Sequence, residues 1–392
     1  MTTSCRRRVL LVSQPTVTGA ALHVWYLAKG LDPADFQVTV ACPQDGWLGR
    51  RIRELGIPYV RLPLVREIRP LADLRAALAL WRLIRRVRPH VLHLHASKAG
   101  FLGRMLRPLV RVPVVIYTPH GFAFRQVAGW RRWFFLALER GAAHFGDHIV
   151  CVSASEWDGA WQAGLGHAGM VTVISNGVDL PDQAPSMRSG LRRRLEVGPE
   201  CHLIGMLARL RRPKQPEDLI HAAARLRQRA PVVDYKVVFI GDGPLEAKLR
   251  ALVERLGLAR QVVFLGYRDD VAELLAELDS VVLATRMEGL PFSLLEAMAA
   301  GKPVIGSRVP GVTDLIRQAD TGLTYPLGDS DTLANHLASL MGDPALRQRL
   351  GQAGRHLVRR AFLAGPMVAS TANLYDRLLQ ATGAQKYGQT VG

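Results

Sequence analysis

The chain has 392 residues, 48% of them hydrophobic and 21% charged, which is room for two globular domains and excludes a single small module or a disordered chain. Its four cysteines lie far apart without a CxxC pair, which argues against a disulfide framework or a structural zinc site and fits a reducing compartment. Residues 1–150 carry 23 Lys and Arg against 8 Asp and Glu, whereas residues 151–392 carry 28 against 25, so the first part of the chain is expected to meet a polyanion.

Short apolar runs alternate with helical patterns along almost the whole chain. The runs are apolar throughout, as in parallel strands covered on both faces. Between them lie amphipathic patterns such as 71–87, in which Leu71, Leu74, Leu78 and Trp81 form one stripe. This alternation predicts an α/β fold with parallel sheets. The predicted strands are 7–13, 37–42, 90–95, 112–118, 148–153, 172–175, 203–207, 236–241, 261–266, 280–285 and 302–307.

The alternation weakens once, at 178–190, which is rich in Pro, Asp, Ser and Gly and indicates a junction between two doubly wound domains. We therefore predict domains over 1–180 and 181–365, followed by a C-terminal helix and tail over 366–392. Ligands of open parallel sheets bind beyond the carboxyl ends of the strands, here in a cleft between the domains. No run approaches the roughly 20 apolar residues of a membrane helix, which favours a cytoplasmic protein or one bound to a membrane face.

The stretch 284–307 carries the richest pattern. A predicted strand leads through Glu288 and Gly289 into a helix from about Pro291, and the backbone N–H groups at such a helix start form an anion site. Glu296 lies within that apolar helix and needs a partner, because burying an unpaired carboxylate costs several kcal/mol. Ribose hydroxyls or an arginine could supply it, so a paired core glutamate remains the alternative.

A second constellation, 205–220, leaves a buried strand and presents Arg209, Arg211, Arg212 and Lys214 before the next helix. Cations in a strand-end loop suit a diphosphate, and a solvated basic turn is the alternative. The turn 241–245 is a weak glycine turn. No GxGxxG, Walker, HExxH or GxSxG motif occurs.

Histidines follow two of the predicted strands. His120 stands directly after one of them, before Gly121, which permits close approach of a ligand. His93 and His95 share one face of another strand at the spacing of metal ligands, but no third ligand follows at a recognisable offset, so no metal is predicted. Gly19 opens a helix near the N-terminus and is a candidate for close approach.

The basic half interleaves arginine with aromatic residues, most densely over 122–141, which holds Trp130, Arg131, Arg132 and Trp133. This mixture is typical of a segment that lies in the interface of an anionic membrane. A solvated basic face over an ordinary core is the alternative. Nucleic acid would need the same charge, but no nucleic-acid-binding signature accompanies it, and none is expected as a partner.

Taken together, these motifs resemble the family-4 retaining glycosyltransferases of the GT-B fold. The segments that show this resemblance are EGLPFSLLEAMAAGKPV (288–304), ARLRRPK (208–214), VISNGVD (173–179), GDGPLEAKL (241–249) and FLGYRDDV (264–271). HLHASKAGFLGR (93–104) with TPHGF (118–122) is similar to members acting in bacterial surface-polysaccharide assembly. The chain departs from the family pattern at Gly19-Ala20, where two glycines are usual, and at Gln215, where glycine is usual.

The resemblance implies roles for individual residues. Arg209 and Lys214 neutralise the donor diphosphate, Glu296 binds the ribose, Glu288 and His120 contact the transferred sugar, and Gly19 lets the N-terminal loop close. Glu288, His120, Arg209 and Lys214 are thus the expected catalytic residues. The expected donor-binding residues are Gly19, Gly266, Tyr267, Glu288, Gly289, Leu290, Pro291, Phe292, Ser293 and Glu296. Trp130, Arg131, Arg132 and Trp133 are assigned to the acceptor or membrane side.

The resemblance also implies the reaction. A hexosyl or N-acetylhexosaminyl group moves, with retention and without a metal or other cofactor, from a nucleotide-diphosphate sugar, expected to be UDP-linked, to a lipid-linked or saccharide acceptor. The site of action is the inner face of the cell membrane, and the C-terminal helix is expected to cross back to the first domain. The alternatives are a GT-B-fold UDP-sugar epimerase and a non-catalytic basic protein that binds nucleic acid or membrane.

Overall fold

A computed structural model describes residues 6–17, 19–43, 46–166, 169–180, 190–229 and 234–383. The strands are β1 Arg7–Ser13, β2 Phe36–Cys42, β3 Tyr59–Arg61, β4 Val91–His95, β5 Val114–Thr118, β6 His148–Cys151, β7 Val171–Val173, β8 His202–Leu207, β9 Tyr235–Ile240, β10 Val262–Phe264, β11 Ser280–Leu283, β12 Val304–Ser307 and β13 Leu323–Tyr325. The helices are α1 Gly19–Gly30, α2 Trp47–Glu54, α3 Pro70–Val87, α4 Ser97–Met105, α5 Trp130–Ala143, α6 Ala154–Gln162, α7 Leu191–Arg194, α8 Glu217–Arg229, α9 Glu246–Arg255, α10 Val271–Glu277, α11 Phe292–Ala299, α12 Ser330–Gly342, α13 Pro344–Ala361 and α14 Ala364–Ala381.

The strands form two parallel sheets, in the orders β3-β2-β1-β4-β5-β6-β7 and β10-β9-β8-β11-β12-β13. The chain divides into two compact units, unit 1 of residues 1–176 and 364–392 and unit 2 of residues 177–363. The predicted α/β class with two doubly wound parallel sheets is confirmed. The C-terminal helix α14 clusters with unit 1, as the family resemblance implied. Most of the predicted junction, residues 181–189, lies outside the described residues.

Each of the eleven predicted strands is present, and the structure adds β3 and β13. Both have three residues and lie at the edge of a sheet. The predicted strand ends differ from the observed ones by a few residues, as expected where turns rather than periodicity set the boundary.

In unit 1 the alternation of side chains along β4 separates two layers. Leu92 and Leu94 belong to a core that the helices α3 to α6 share with the sheet. His93 and His95 point to the opposite face because successive side chains of a strand alternate. There His93 meets Tyr375 of α14 through a hydrogen bond of 2.6 Å, and α14 packs against α1 and β5.

The helix predicted over 71–87 is α3, but three of the four residues singled out as its stripe face solvent, whereas Trp81 packs against the core. Leu71, Leu74 and Leu78 are 76%, 58% and 43% exposed. The core side consists instead of Ala76, Leu80, Leu83 and Ile84. This helix carries two apolar stripes, and helical periodicity alone does not decide which one the sheet covers.

In unit 2 the sheet brings three loops to the carboxyl ends of its strands. The loop after β8 is joined to the loop after β9 by the Leu210 N–H, which donates to the Asp242 carbonyl at 2.8 Å. It is joined to the loop after β11 on its other side, where the Gln215 N–H donates to the Ala284 carbonyl at 3.0 Å. These bonds fix the loop of residues 208–216 between its two neighbours.

Candidate active site

Lys214 and Glu288, predicted from separate motifs, meet in unit 2. The Lys214 ammonium donates to Glu288 Oε1, and the Thr285 hydroxyl donates to the same oxygen at 2.8 Å. The side chains of Lys214 and Glu288 are only 18% and 15% exposed. The carboxylate therefore holds the lysine at the end of β11. We call Lys214, Thr285 and Glu288 the lysine cluster.

Arg209 lies in the same loop, paired with Asp242 at 3.2 Å between Nε and Oδ1. The flanking glycines make this pair possible. A Cβ on Gly241 would lie 2.2 Å from the Ala208 carbonyl oxygen, and one on Gly243 would lie 2.3 Å from that of Leu210. The turn that appeared weak in the sequence thus packs backbone to backbone against the arginine loop. Arg212 differs, because its guanidinium turns toward Glu217 at 3.4 Å.

The stretch Gly289–Ser293 leads from the lysine cluster into α11. Pro291 is the N-cap residue of the helix and no side chain caps it. The Leu290, Pro291 and Phe292 side chains are buried, while Ser293 is partly exposed. Gly311, which sequence reasoning missed, supports this turn, since a Cβ there would lie 2.6 Å from the carbonyl oxygens of both Glu288 and Gly289. Its φ of +83° also favours glycine.

Glu296 lies in α11 among Leu294, Leu295 and Met298, which are fully buried. Burial raises the pKa of its carboxyl group from 4.5 to about 7. Across the described ranges no hydrogen bond or ion pair joins this carboxylate to another side chain. Among the described residues the structure thus gives no support to a paired core glutamate.

Gly266 and Tyr267 lie after β10, beside the turn of Asp242. The Gly266 carbonyl accepts the Gly241 N–H at 2.8 Å, and its φ of +67° is one that glycine adopts readily. The Tyr267 ring is 39% exposed and its hydroxyl donates to Asp269 at 2.6 Å. Both residues thus adjoin the turn that holds Arg209.

In unit 1 His120 follows β5 with a φ of +52°, a strained value for a residue other than glycine. Its Nε2 lies 3.2 Å from Nδ1 of His95, at the end of β4. The ring of His23, on the helix α1 that Gly19 begins, lies 4.9 Å from the ring of His120, centroid to centroid. Burial lowers the pKa of His23 to about 4, and those of His95 and His120 fall well below their ordinary value, so the three rings are neutral at pH 7.

Spacing in the sequence paired His93 with His95 and offered no third histidine. His23 escapes such a search because it lies on a different element, some seventy residues earlier in the chain. His93 itself is engaged elsewhere, since Nε2 bonds the Thr118 hydroxyl at 2.8 Å and Nδ1 bonds Tyr375. The side chains of His23, His95 and His120, which we call the histidine triad, form the group with metal-ligand geometry among the described residues.

The residues assigned to the membrane side lie on α5 of unit 1. Trp130 and Trp133 are 72% and 67% exposed, and Arg131 and Arg132 are exposed between them. The Arg131 guanidinium lies 5.7 Å from the centre of the Trp130 ring. Among the described helices none is both long and apolar enough to span a bilayer.

Two family models match the chain. The first, described as "Glycosyl transferase 4-like domain", covers residues 18–177. The second, "Glycosyl transferases group 1", covers residues 190–357. These ranges correspond to most of unit 1 and of unit 2.

Individual proteins agree with these matches. The Escherichia coli UDP-Gal:alpha-D-GlcNAc-diphosphoundecaprenol alpha-1,3-galactosyltransferase is 28% identical over 323 residues, covering 79% of this chain and 81% of that protein. A D-inositol 3-phosphate glycosyltransferase of Pseudarthrobacter chlorophenolicus is 30% identical over 292 residues, covering 69% of this chain and 67% of that protein. Among solved structures, Anabaena HepE with UDP and glucose aligns with a TM-score of 0.82 at 23% identity, covering 95% of this chain and 100% of that one.

The two sheets, the order of the family ranges and the structural likeness point the same way, and they confirm the resemblance first seen in the motifs. The chain belongs to the family-4 glycosyltransferases, with the GT-B fold.

Proposed function

We propose that the protein is a retaining glycosyltransferase that moves a hexosyl or N-acetylhexosaminyl group from a UDP-sugar to a lipid-linked diphosphate acceptor during surface-polysaccharide synthesis. The observation that carries this proposal is the lysine cluster beside the start of α11, which sets a partly buried cation next to a helix N-terminus. The name of the Escherichia coli relative supports the substrate class, since it specifies UDP-galactose and a diphosphoundecaprenol acceptor.

In this proposal the bond between the sugar C1 and the β-phosphate oxygen breaks, and UDP leaves with increased negative charge. Arg209, Lys214 and the backbone N–H groups at the start of α11 stabilise that charge, since donors fixed before the reaction need no reorganisation. Two cations supply the neutralisation that a divalent metal provides in other enzymes, so we expect transfer without a metal. Attack comes from the face that the leaving group vacates, and the phosphate oxygen takes the acceptor's hydroxyl proton.

The remaining roles follow the family resemblance. We assign Glu296 to the ribose hydroxyls, because it is partly exposed and its carboxylate has no protein partner among the described residues. Glu288 and His120 are assigned to hydroxyls of the transferred sugar, and Gly266 and Tyr267 to the edge of the base. Gly19 is assigned to close approach of the loop that precedes α1.

The test is a thermal-shift panel with UDP, GDP and ADP on wild type and Arg209→Ala. A ligand at 100 times its dissociation constant stabilises the folded protein by about 2.7 kcal/mol. We expect UDP to raise the melting temperature of wild type and of the control Arg255→Ala, whose side chain is exposed on α9, but not that of Arg209→Ala. Equal shifts in all three proteins would remove Arg209 from the donor site.

Glu296 provides a test in which stability and binding change in opposite directions. Its folded pKa of about 7 exceeds the unfolded value near 4.5, so the stability that this group contributes is present at low pH and is lost as pH rises between these values. At pH 8 we expect Glu296→Gln to be about 2 kcal/mol more stable than wild type and to bind UDP about tenfold more weakly. Melting curves at pH 5 and pH 8, with and without UDP, measure both effects. Exposed Glu254→Gln is the control, and tighter UDP binding by Glu296→Gln would contradict the ribose role.

We also propose that unit 1 binds an anionic membrane surface through α3 and α5. The exposed stripe Leu71, Leu74, Leu78 on α3 and the aromatic residues of α5 offer apolar contact. Both helices pack against α4, which places them on one layer of the unit. Exposed arginines border both helices, namely Arg75, Arg82, Arg85, Arg86, Arg131 and Arg132. A surface that binds at a membrane interface requires exposed apolar side chains with arginines beside them.

Sedimentation with vesicles tests this surface. Each cation near an anionic membrane contributes about 1 kcal/mol, so we expect Arg131→Gln/Arg132→Gln to bind phosphatidylglycerol vesicles at least tenfold more weakly than wild type. The control Arg359→Gln/Arg360→Gln removes the same charge from exposed positions of unit 2 and is expected to bind like wild type. Binding to neutral vesicles as strong as to anionic ones would exclude an electrostatic attachment.

A further inference from the structure

We propose that the histidine triad of unit 1, His23, His95 and His120, binds one Zn²⁺ ion or a similar divalent transition metal. The ligand nitrogens of the three side chains all lie within 4.8 Å of one another. For three atoms so spaced there is a point no more than about 2.8 Å from any of them, so shifts below 1 Å bring all three to the 2.0–2.1 Å of a zinc–imidazole bond.

One edge of the site already has the required length. Two ligands of a tetrahedral zinc ion with bonds of 2.0–2.1 Å lie about 3.3–3.4 Å apart. The distance between His95 Nδ1 and His120 Nε2 is 3.2 Å. The ring centroid of His23 lies 5.4 Å from that of His95 and 4.9 Å from that of His120, so the third imidazole lies beside the other two.

Hydrogen bonding within the protein leaves two buried nitrogens of this group unsatisfied. His23 and His95 are 1% and 0% exposed, and Nε2 of each has no hydrogen-bond partner. Of these two nitrogens, His23 Nε2 is the one that a metal would satisfy, because the 3.2 Å edge uses Nδ1 of His95 and leaves His95 Nε2 as it is. A buried polar atom without a partner costs about 1–3 kcal/mol, and such groups in native proteins often mark an ion or water site.

Asn176 sets the tautomer of His23 for metal binding. Its side-chain carbonyl oxygen lies 2.9 Å from His23 Nδ1 and can only accept, so Nδ1 carries the hydrogen and Nε2 keeps its lone pair. An imidazole whose other nitrogen donates to an oxygen is the usual arrangement of a metal-ligating histidine. Asn176 is itself 2% exposed, which holds this contact fixed.

The ligand chemistry selects the metal. Three imidazoles without a carboxylate or thiolate suit zinc, cobalt or nickel, whereas Mg²⁺ and Ca²⁺ require oxygen ligands. His120 is partly exposed and gives the ion a route from solvent. Three protein ligands leave a fourth position for water or another ligand. Since the proposed function assigns His120 to the transferred sugar, zinc in this site would withdraw that histidine and inhibit transfer; only this consequence rests on the proposed function.

Cobalt titration of the untagged, full-length protein tests the site, because four-coordinate Co²⁺ has visible absorption bands. We expect wild type to bind one equivalent, with the bands abolished by Zn²⁺ and unaffected by millimolar Mg²⁺. His23→Gln and His95→Gln are each expected to bind at least 100-fold more weakly, and Asn176→Ala about tenfold more weakly. The control His144→Gln removes an exposed histidine that directly follows α5 and is expected to bind like wild type.

Circular dichroism shows whether each variant is folded. If a variant is unfolded, the titration of the wild-type protein alone decides the proposal. Absence of saturable cobalt binding by wild type overturns it, as does a band that persists unchanged in both folded triad variants. A transfer assay separates the second claim. Zinc that binds at one equivalent without inhibiting transfer leaves the metal site in place and overturns the assignment of His120 to the sugar.

Discussion

Lys214→Met is expected to lower kcat/KM for transfer by about 10³-fold. The substitution removes the cation of the lysine cluster while keeping most of the side-chain volume. It also leaves the half-buried Glu288 carboxylate without its counter-ion, so a negative charge faces the departing diphosphate. Loss of one preorganised stabilising group costs about 10²–10³-fold in other enzymes, and the unpaired carboxylate adds to that loss. Steady-state transfer to a lipid-linked acceptor with UDP-sugar as donor measures the effect.

The matched control is Lys248→Met, which removes the same charge from an exposed position of α9. We expect this variant to keep kcat/KM within twofold of wild type. If Lys214→Met kept activity within tenfold, the cluster would be a structural ion pair and the diphosphate site would have to lie elsewhere.

Glu139→Ala is expected to destabilise unit 1 by about 3–5 kcal/mol. Arg104 on α4 is 1% exposed and its guanidinium bonds the Glu139 carboxylate of α5 at 2.6 Å. The Tyr117 hydroxyl donates to the same carboxylate at 3.2 Å, and the guanidinium lies 4.1 Å from the centre of the Tyr117 ring. Removing the glutamate leaves a charge buried without a counter-ion. Urea unfolding followed by tryptophan fluorescence gives the change in free energy.

Two further variants test whether the loss of stability in Glu139→Ala arises from the burial of the ion pair. Glu54→Ala breaks an exposed pair with Arg51 and is expected to change stability by less than about 1 kcal/mol. The double variant Arg104→Met/Glu139→Leu removes both charges and is expected to recover most of the stability, because apolar residues often replace a buried ion pair without loss. A Glu139→Ala cost as small as that of Glu54→Ala would contradict this account.

The sequence predicts most of this fold because parallel strands buried on both faces leave a strong apolar signal. Most of the eleven predicted strands are of that kind, whereas the edge strands β3 and β13 were not predicted. Helical periodicity placed α3 in the chain, yet it pointed to Leu71, Leu74 and Leu78, which face solvent. A helix with two apolar stripes needs its neighbours before its buried side is known.

The candidate site shows the same division between local and tertiary information. Lys214 and Glu288 were each visible from local chemistry and family motifs, but their ion pair depends on β8 and β11 lying side by side. No sequence motif pointed to Gly311, because its contribution is to let the backbone of Glu288 and Gly289 lie close to it. His23 became a neighbour of His95 and His120 only through the packing of α1, which no spacing rule in the chain encodes.

Because α14 belongs to unit 1, the protein acquires its structure in a particular order during synthesis. A ribosome produces residues 1–176, then all of unit 2, and only then the helix that covers β5 and supplies Tyr375 to His93. Until that helix emerges, the face of the sheet bearing His93 lacks its cover. Unit 1, which contains the first residues to be synthesised, therefore completes its fold only after all of unit 2 has been made. Its folding depends on α14, a helix of eighteen residues that is synthesised after unit 2.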